Sequence, residues 1–185
     1  MVDQTLPELT IRAATEMDAA ACAAIYRPFV LETAVSFELR PPTDAEMADR
    51  ISEASASHAW LVAEVGGEVA GYAYARPFAA REAYRWSCET SIYLAPDRRR
   101  AGLGRALYRA LLARLTERGF RVAVAKMTLP NPASEGLHAA LGFVPVGVHP
   151  RIGYKNDAWH DIAIAQLALT TVDGTTADGP PAETR

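Results

Sequence analysis

Two hydrophobic periods alternate along this chain, and the switches between them mark its elements. Residues 9–13 (Leu-Thr-Ile-Arg-Ala) alternate with period two and predict a short strand. Thr15-Glu-Met-Asp18 then reads as a capping box, with aspartate where Glu or Gln is usual, and Ala19, Cys22, Ala23, Ile25, Tyr26 and Phe29 follow at helical spacing. Residues 33–42, with Phe37 and the Pro41-Pro42 pair, predict a loop. Thr43-Asp-Ala-Glu46 is a second capping box, opening a helix that buries Met47, Ile51 and Ala54. Residues 60–65 and 68–75 are strand-like, and Gly66-Gly67 between them predicts a hairpin. A polar loop over 76–85 leads to a strand over 86–94 and a Pro-, Arg- and Gly-rich loop over 95–104. Leu107, Leu111, Leu112 and Leu115 share one face of a helix over 105–118, closed by Gly119. Strand 120–127 follows, then a short helix capped by Asn131 with Pro132 at its first position and ended by Gly142. Strands over 143–148 and 161–169 complete the series.

This order predicts a mixed α/β single domain over 8–169 with a central, mostly antiparallel sheet and a right-handed crossover around the helix at 105–118. Residues 170–185 have the composition of a disordered tail. At 185 residues and 50% hydrophobic, the chain can bury a substantial core. The net charge of −3, with no long basic block, excludes nucleic acid and anionic membrane as main partners. No segment approaches the roughly 20 apolar residues of a membrane span. The start, Met-Val-Asp-Gln, lacks the basic and apolar regions of a signal peptide. Cys22 and Cys88 stand far apart, with no CxxC, and the four histidines show no zinc-ligand spacing, so no metal is expected. Buried free thiols suit a reducing, cytoplasmic setting.

The most informative segment is Ser91-Ile-Tyr-Leu-Ala-Pro-Asp-Arg-Arg-Arg-Ala-Gly-Leu-Gly104, which runs from a strand into a helix. A helix start offers unpaired N–H groups and a partial positive charge to an anion. Gly102 and Gly104 let the backbone approach a diphosphate, and Arg99 and its neighbours add charge-assisted hydrogen bonds. A Walker loop is excluded because Arg105-Ala106 follows the last glycine, and a dinucleotide fingerprint because Leu107 takes the place of its third glycine.

Arg99-Arg100-Ala101-Gly102-Leu103-Gly104 resembles the acyl-coenzyme A signature of the GNAT acetyltransferase superfamily. A closer resemblance, to the phosphinothricin and methionine sulfoximine N-acetyltransferases, is carried by Trp60-Leu-Val-Ala-Glu-Val65, Ala83-Tyr-Arg-Trp86, Glu89-Thr-Ser-Ile-Tyr93, Leu129-Pro-Asn131, Leu137-His-Ala-Ala-Leu-Gly-Phe143, Gly153-Tyr-Lys155 and Trp159-His-Asp161. It implies the GNAT fold, a twisted, mostly antiparallel sheet flanked by about four helices. It also implies an acetyl-coenzyme A-dependent N-acetyltransferase acting on a small amine, and a homodimer.

The resemblance places the cofactor along Ile92, Tyr93 and Leu94, then Arg99, Arg100, Ala101, Gly102, Leu103, Gly104 and Arg105, with Asn131 and Ser134 against the pantetheine arm. A bulge near Tyr93 or Leu94 is expected to aim a backbone N–H at the thioester oxygen, the role of an oxyanion-hole donor. Glu89 is the candidate base. Alternation puts it on one face with Ser87, Ser91 and Tyr93, and burial is expected to raise its pKa. His138 stands where many members carry a tyrosine; it either assists the amine, protonates the leaving thiolate or fills a helix–sheet gap. Tyr108 is an alternative whose spacing also fits core packing.

Phe37, Arg76, Arg81 and Tyr84 are the candidate substrate-binding residues, an arginine suiting a carboxylate or phosphinate. Ala79-Ala80 replaces a lysine that some phosphinothricin enzymes carry, which puts methionine sulfoximine, methionine sulfone or another amino acid on an equal footing. A protein N-terminus, a lysine or a polyamine as acceptor, and a non-catalytic coenzyme A sensor, stay open as alternatives.

Overall fold

A computed structural model of the chain describes residues 8–98 and 102–169. Arg99, Arg100 and Ala101, and the tail expected from Thr170, lie outside the described residues.

The first strand, β1 (Leu9–Ala13), leads through a 3-10 turn to helix α1 (Ala19–Glu32). Both predicted capping boxes form: Thr15 with Asp18, and Thr43 with Glu46 at the start of α2 (Asp44–Ser57). Next come β2 (Ala59–Val65), β3 (Glu68–Pro77), β4 (Ser87–Leu94) and α3 (Leu103–Glu117). The chain ends in β5 (Val122–Thr128), α4 (Pro132–Ala140), β6 (Val144–Lys155) and β7 (Ala158–Ala168). The seven strands form one sheet in the order β1-β2-β3-β4-β5-β7-β6. Among the described strands only β4 and β5 run parallel, and α3 makes the crossover between them.

Strand alternation sorts the core into two layers. Trp60, Val62 and Tyr72 face α1 and α2, where they meet Cys22, Val30, Met47 and Ile51. Leu61, Ala63, Ala73 and Ala123 face the other way, against Leu107, Leu111 and Leu115 of α3. The alanines of β2, β3 and β5 let α3 lie close to the sheet, which fixes where its N-terminus ends up.

Two departures from the predicted elements bear on the site. Helix α3 begins at Leu103 with Gly102 as its N-cap at φ 74°, so Gly104 lies inside the helix, not in the loop. Strands β6 and β7 are longer than their alternation suggested, closing on an Asn156-Asp157 turn with φ of 52° and 56°. A register shift between His149 and Gly153, with Arg151 at φ 49°, breaks the period-two pattern there and hides the strand from a periodicity reading.

Candidate active site

The sheet forks at its centre. The parallel pairing of β4 with β5 stops at Thr90↔Ala125, while β4 keeps its partner β3 to Gly71↔Leu94 without a register shift. The expected bulge near Tyr93 or Leu94 is therefore absent from the β3–β4 ladder. Instead β4 splays from β5, and the β4 edge beyond Thr90 has no partner on β5. A small cleft of about 50 Å³ lies in the fork, bounded by Ile92, Tyr93, Lys126, Asn131, Ser134 and His138 among others.

A larger cavity of about 500 Å³ adjoins it. Its walls are the loop Val35–Glu38, Tyr74 and Arg76 of β3, Glu89, Ser91 and Tyr93 of β4, Lys126 and Thr128 of β5, and His149 and Ile152 of the β6 irregularity. Val35, Ser91, Tyr93 and Lys126 belong to both spaces, so cavity and cleft meet at the mouth of the fork.

Glu89 sits on this wall at 6% exposure. Its Oε1 accepts from Arg76 Nη2 at 2.5 Å and its Oε2 from Lys126 Nζ at 2.7 Å. Arg76 is its direct cross-strand neighbour, and Lys126 is the first β5 residue past the last pair with β4. Burial alone pushes the carboxyl up. The hydrogen bonds and charges of Lys126 and Arg76 outweigh it, and the net shift is downward, opposite to the expected direction. Glu89 is thus ionised at neutral pH.

His138 is 4% exposed and both of its ring nitrogens are engaged. Nδ1 lies 2.7 Å from the Ser134 carbonyl oxygen, which makes it the protonated nitrogen; Nε2 accepts from the Tyr108 hydroxyl at 3.0 Å. Tyr108 in turn meets Thr90 Oγ1 at 2.6 Å. Burial lowers the His138 pKa, partly offset by the Ser134 hydrogen bond, so the ring is neutral. Tyr108 is both core and network: it is fully buried, and it ties α3 to β4 and α4.

At the start of α3, space and charge suit an anion. An added Cβ on Gly102 meets nothing within 4 Å, and Arg105 is exposed in the first turn. Gly104 has a packing role. It is buried, and a Cβ there comes 3.1 Å from Leu94 Cδ1, so it lets α3 pack on β4. Leu103 likewise turns its side chain into the core and offers only backbone. Asn131 Oδ1 caps α4 by accepting from Ser134 N at 3.2 Å, while both residues border the cleft.

Of the substrate-binding expectations, Phe37 and Arg76 line the cavity. Arg81 and Tyr84 do not. They lie exposed on the segment before β4, where Tyr84 packs edge-on against Phe78. Lys126 was missed by the sequence reading. Its one signal is a lone charge in the strand Val-Ala-Val-Ala-Lys-Met-Thr. His149 and Thr128 were missed too, because their place depends on the register of β6 and β7.

The sequence matches the acetyltransferase (GNAT) family over residues 23–143. It is 41% identical over 156 residues to the phosphinothricin N-acetyltransferase of Streptomyces viridochromogenes, covering 84% of this chain and 85% of that one. Against the L-methionine sulfoximine/L-methionine sulfone acetyltransferase of Salmonella typhimurium it is 35% identical, covering 87% and 95%. The crystal structure of a phosphinothricin acetyltransferase from Sinorhizobium meliloti in complex with acetyl-coenzyme A superposes with a TM-score of 0.86 at 38% identity, covering 95% of this chain and 97% of that one. The chain belongs to the GNAT acetyltransferase family, as an acetyl-coenzyme A-dependent N-acyltransferase.

Proposed function

We propose that this enzyme moves the acetyl group of acetyl-coenzyme A onto the primary amine of a small amino-acid-like substrate of the phosphinothricin, methionine sulfoximine or methionine sulfone kind. The observation that carries the reading is Glu89, a buried carboxylate on the cavity wall where the cavity meets the fork.

In this reading the diphosphate lies against the N–H groups at Gly102–Gly104, with Arg105 near it, and the pantetheine arm enters between β4 and β5 past Asn131 and Ser134. The unpaired β4 backbone between Ser91 and Leu94 donates to the thioester oxygen. The substrate ammonium arrives beside Glu89, which takes its proton, and the neutral amine attacks the carbonyl carbon. Because Glu89 is held ionised it is always ready to accept, at the cost of being a weaker base than an unpaired buried carboxylate. The thiolate departs and takes a proton from solvent, while the Thr90–Tyr108–His138 chain, in which His138 has no free nitrogen, ties β4, α3 and α4 together beside the fork. Arg76, bonded to Glu89 through one nitrogen, has N–H donors left for the substrate carboxylate or phosphinate. Arg76 and Lys126 on the wall oppose a polyamine.

Thiol release measured across free amino acids, phosphinothricin, methionine sulfoximine and polyamines tests this. Turnover confined to amines bearing an anionic group supports it; preference for polyamines contradicts it.

The outward side of β6 supports a homodimer. This edge strand exposes Val144, Val146, Val148, Ile152 and Tyr154, each more than half exposed, a stripe unusual on a lone chain.

A further inference from the structure

The chain contains two lysines, Lys126 and Lys155; every other side chain of the Lys/Arg kind is arginine. Lys155 is sealed away at 5% exposure, its Nζ donating to the carbonyls of Val30 and Ser36 at 2.7 and 2.6 Å. Lys126 is the opposite case. It stands at the mouth of the fork, bordering both the substrate cavity and the cleft, with its side chain 42% exposed. Its Nζ lies 2.7 Å from Glu89 Oε2, where an incoming amine must place its own nitrogen to lose a proton to that carboxylate. A lysine here is chemically different from the arginine used elsewhere. An ammonium can be deprotonated and become a nucleophile, whereas a guanidinium stays protonated.

We propose that Lys126 is itself an acetyl acceptor: when no free amine fills the cavity, the enzyme acetylates its own Lys126. This rests on the reading that Glu89 and the fork form the acetyl-transfer site. The ammonium of Lys126 gives a proton to Glu89, and the freed Nζ lone pair forms the N–C bond to the acetyl carbonyl carbon. The C–S bond breaks, its electron pair leaves on sulfur, and the thiolate is protonated. The amine's second displaced proton goes to solvent. The products are acetyl-lysine and free coenzyme A.

The product changes the site that made it. The neutral amide no longer pairs with Glu89, which then keeps Arg76 alone, and the cavity loses one positive charge. The mark thus records exposure to acetyl donor in the absence of acceptor, and it weakens the hold on anionic substrates.

The test is to incubate the full chain with acetyl-coenzyme A alone and follow it by intact mass and peptide mapping. The expected result is one acetyl group on Lys126 with one equivalent of thiol released, Lys155 unmodified, and suppression by a saturating amine that the enzyme turns over. Glu89→Gln is expected to lose the modification, and Lys126→Arg to take up no acetyl group at either position. An unmodified Lys126 in a preparation that acetylates added amine overturns the inference and leaves the enzymatic function standing. So does equal modification of Lys126 in Glu89→Gln, which marks plain chemical acylation. If neither added amine nor Lys126 is acetylated, the proposed function fails and takes this inference with it.

Discussion

Glu89 shows how little a burial pattern says about a charge without its neighbours. Alternation along β4 was enough to place it on one face with Ser91 and Tyr93, and burial followed. The sign of its pKa shift was not legible, because the two cations that decide it come from β3 and β5. Only the register Arg76↔Glu89 and the fork after Ala125 bring them within reach. The sign has a consequence in pH. A depressed carboxylate contributes its ion-pair stability above the ordinary glutamate value and loses it as pH falls through the folded value. The acid limb of kcat/KM is therefore expected below the usual glutamate range. Lys126→Met removes one stabilising cation and is expected to move that limb upward; an unmoved limb in the pH profile contradicts the assigned pairing.

His138 adds a second dependence at the same scale. Its folded pKa lies below the ordinary imidazole value, so stability is full above that value and falls as pH drops through it. His138→Leu strips the Tyr108 hydroxyl and the Ser134 carbonyl of a partner, and is expected to cost about 1–3 kcal/mol in denaturant unfolding. A stability unchanged to within a few tenths of a kcal/mol contradicts the network.

At the scale of elements, the glycines that read alike in the sequence have separate jobs. Gly102 needs its left-handed φ and faces open space; Gly104 is a packing glycine against Leu94. Gly102→Ala is expected to cost roughly 1–2 kcal/mol through backbone strain, without blocking the anion site. Gly153 carries a stronger constraint. A Cβ there comes 1.9 Å from Phe37 Cε2, so any larger residue must drive the Phe37 ring off the hairpin that backs the cavity wall. Gly153→Val is expected to raise KM several-fold and lower the melting temperature, with kcat changed less; an unchanged KM removes Phe37 from the substrate wall. None of this could be read from residues 149–160, where the β6 register shift erases the alternation. The Gly66-Gly67 hairpin, both capping boxes and the α3 leucine face were legible, since each is specified by residues next to one another in sequence.

For the molecule as a whole, two helical layers on a forked sheet put one opening at the centre, and the two spaces of the site meet there. The layers followed from sequence periodicity, while strand order and the fork needed the long-range pairings. The apolar outer face of β6 belongs to this scale too. Sedimentation is expected to show a dimer, and Val146→Glu, at a position 58% exposed, is expected to shift it to monomer with its fold intact. A native chain that sediments as a monomer at micromolar concentration contradicts the homodimer.

In the proposed mechanism Glu89 accepts the amine proton at a site whose donor-binding half is built separately, at the fork and the start of α3. Glu89→Gln, which keeps shape and removes the charge, addresses both halves when turnover and acetyl-coenzyme A affinity are measured on the same preparation at neutral pH. The expected result is an unchanged Kd for acetyl-coenzyme A with kcat lower by about 10²–10⁴. Turnover close to that of the native chain removes Glu89 as the base.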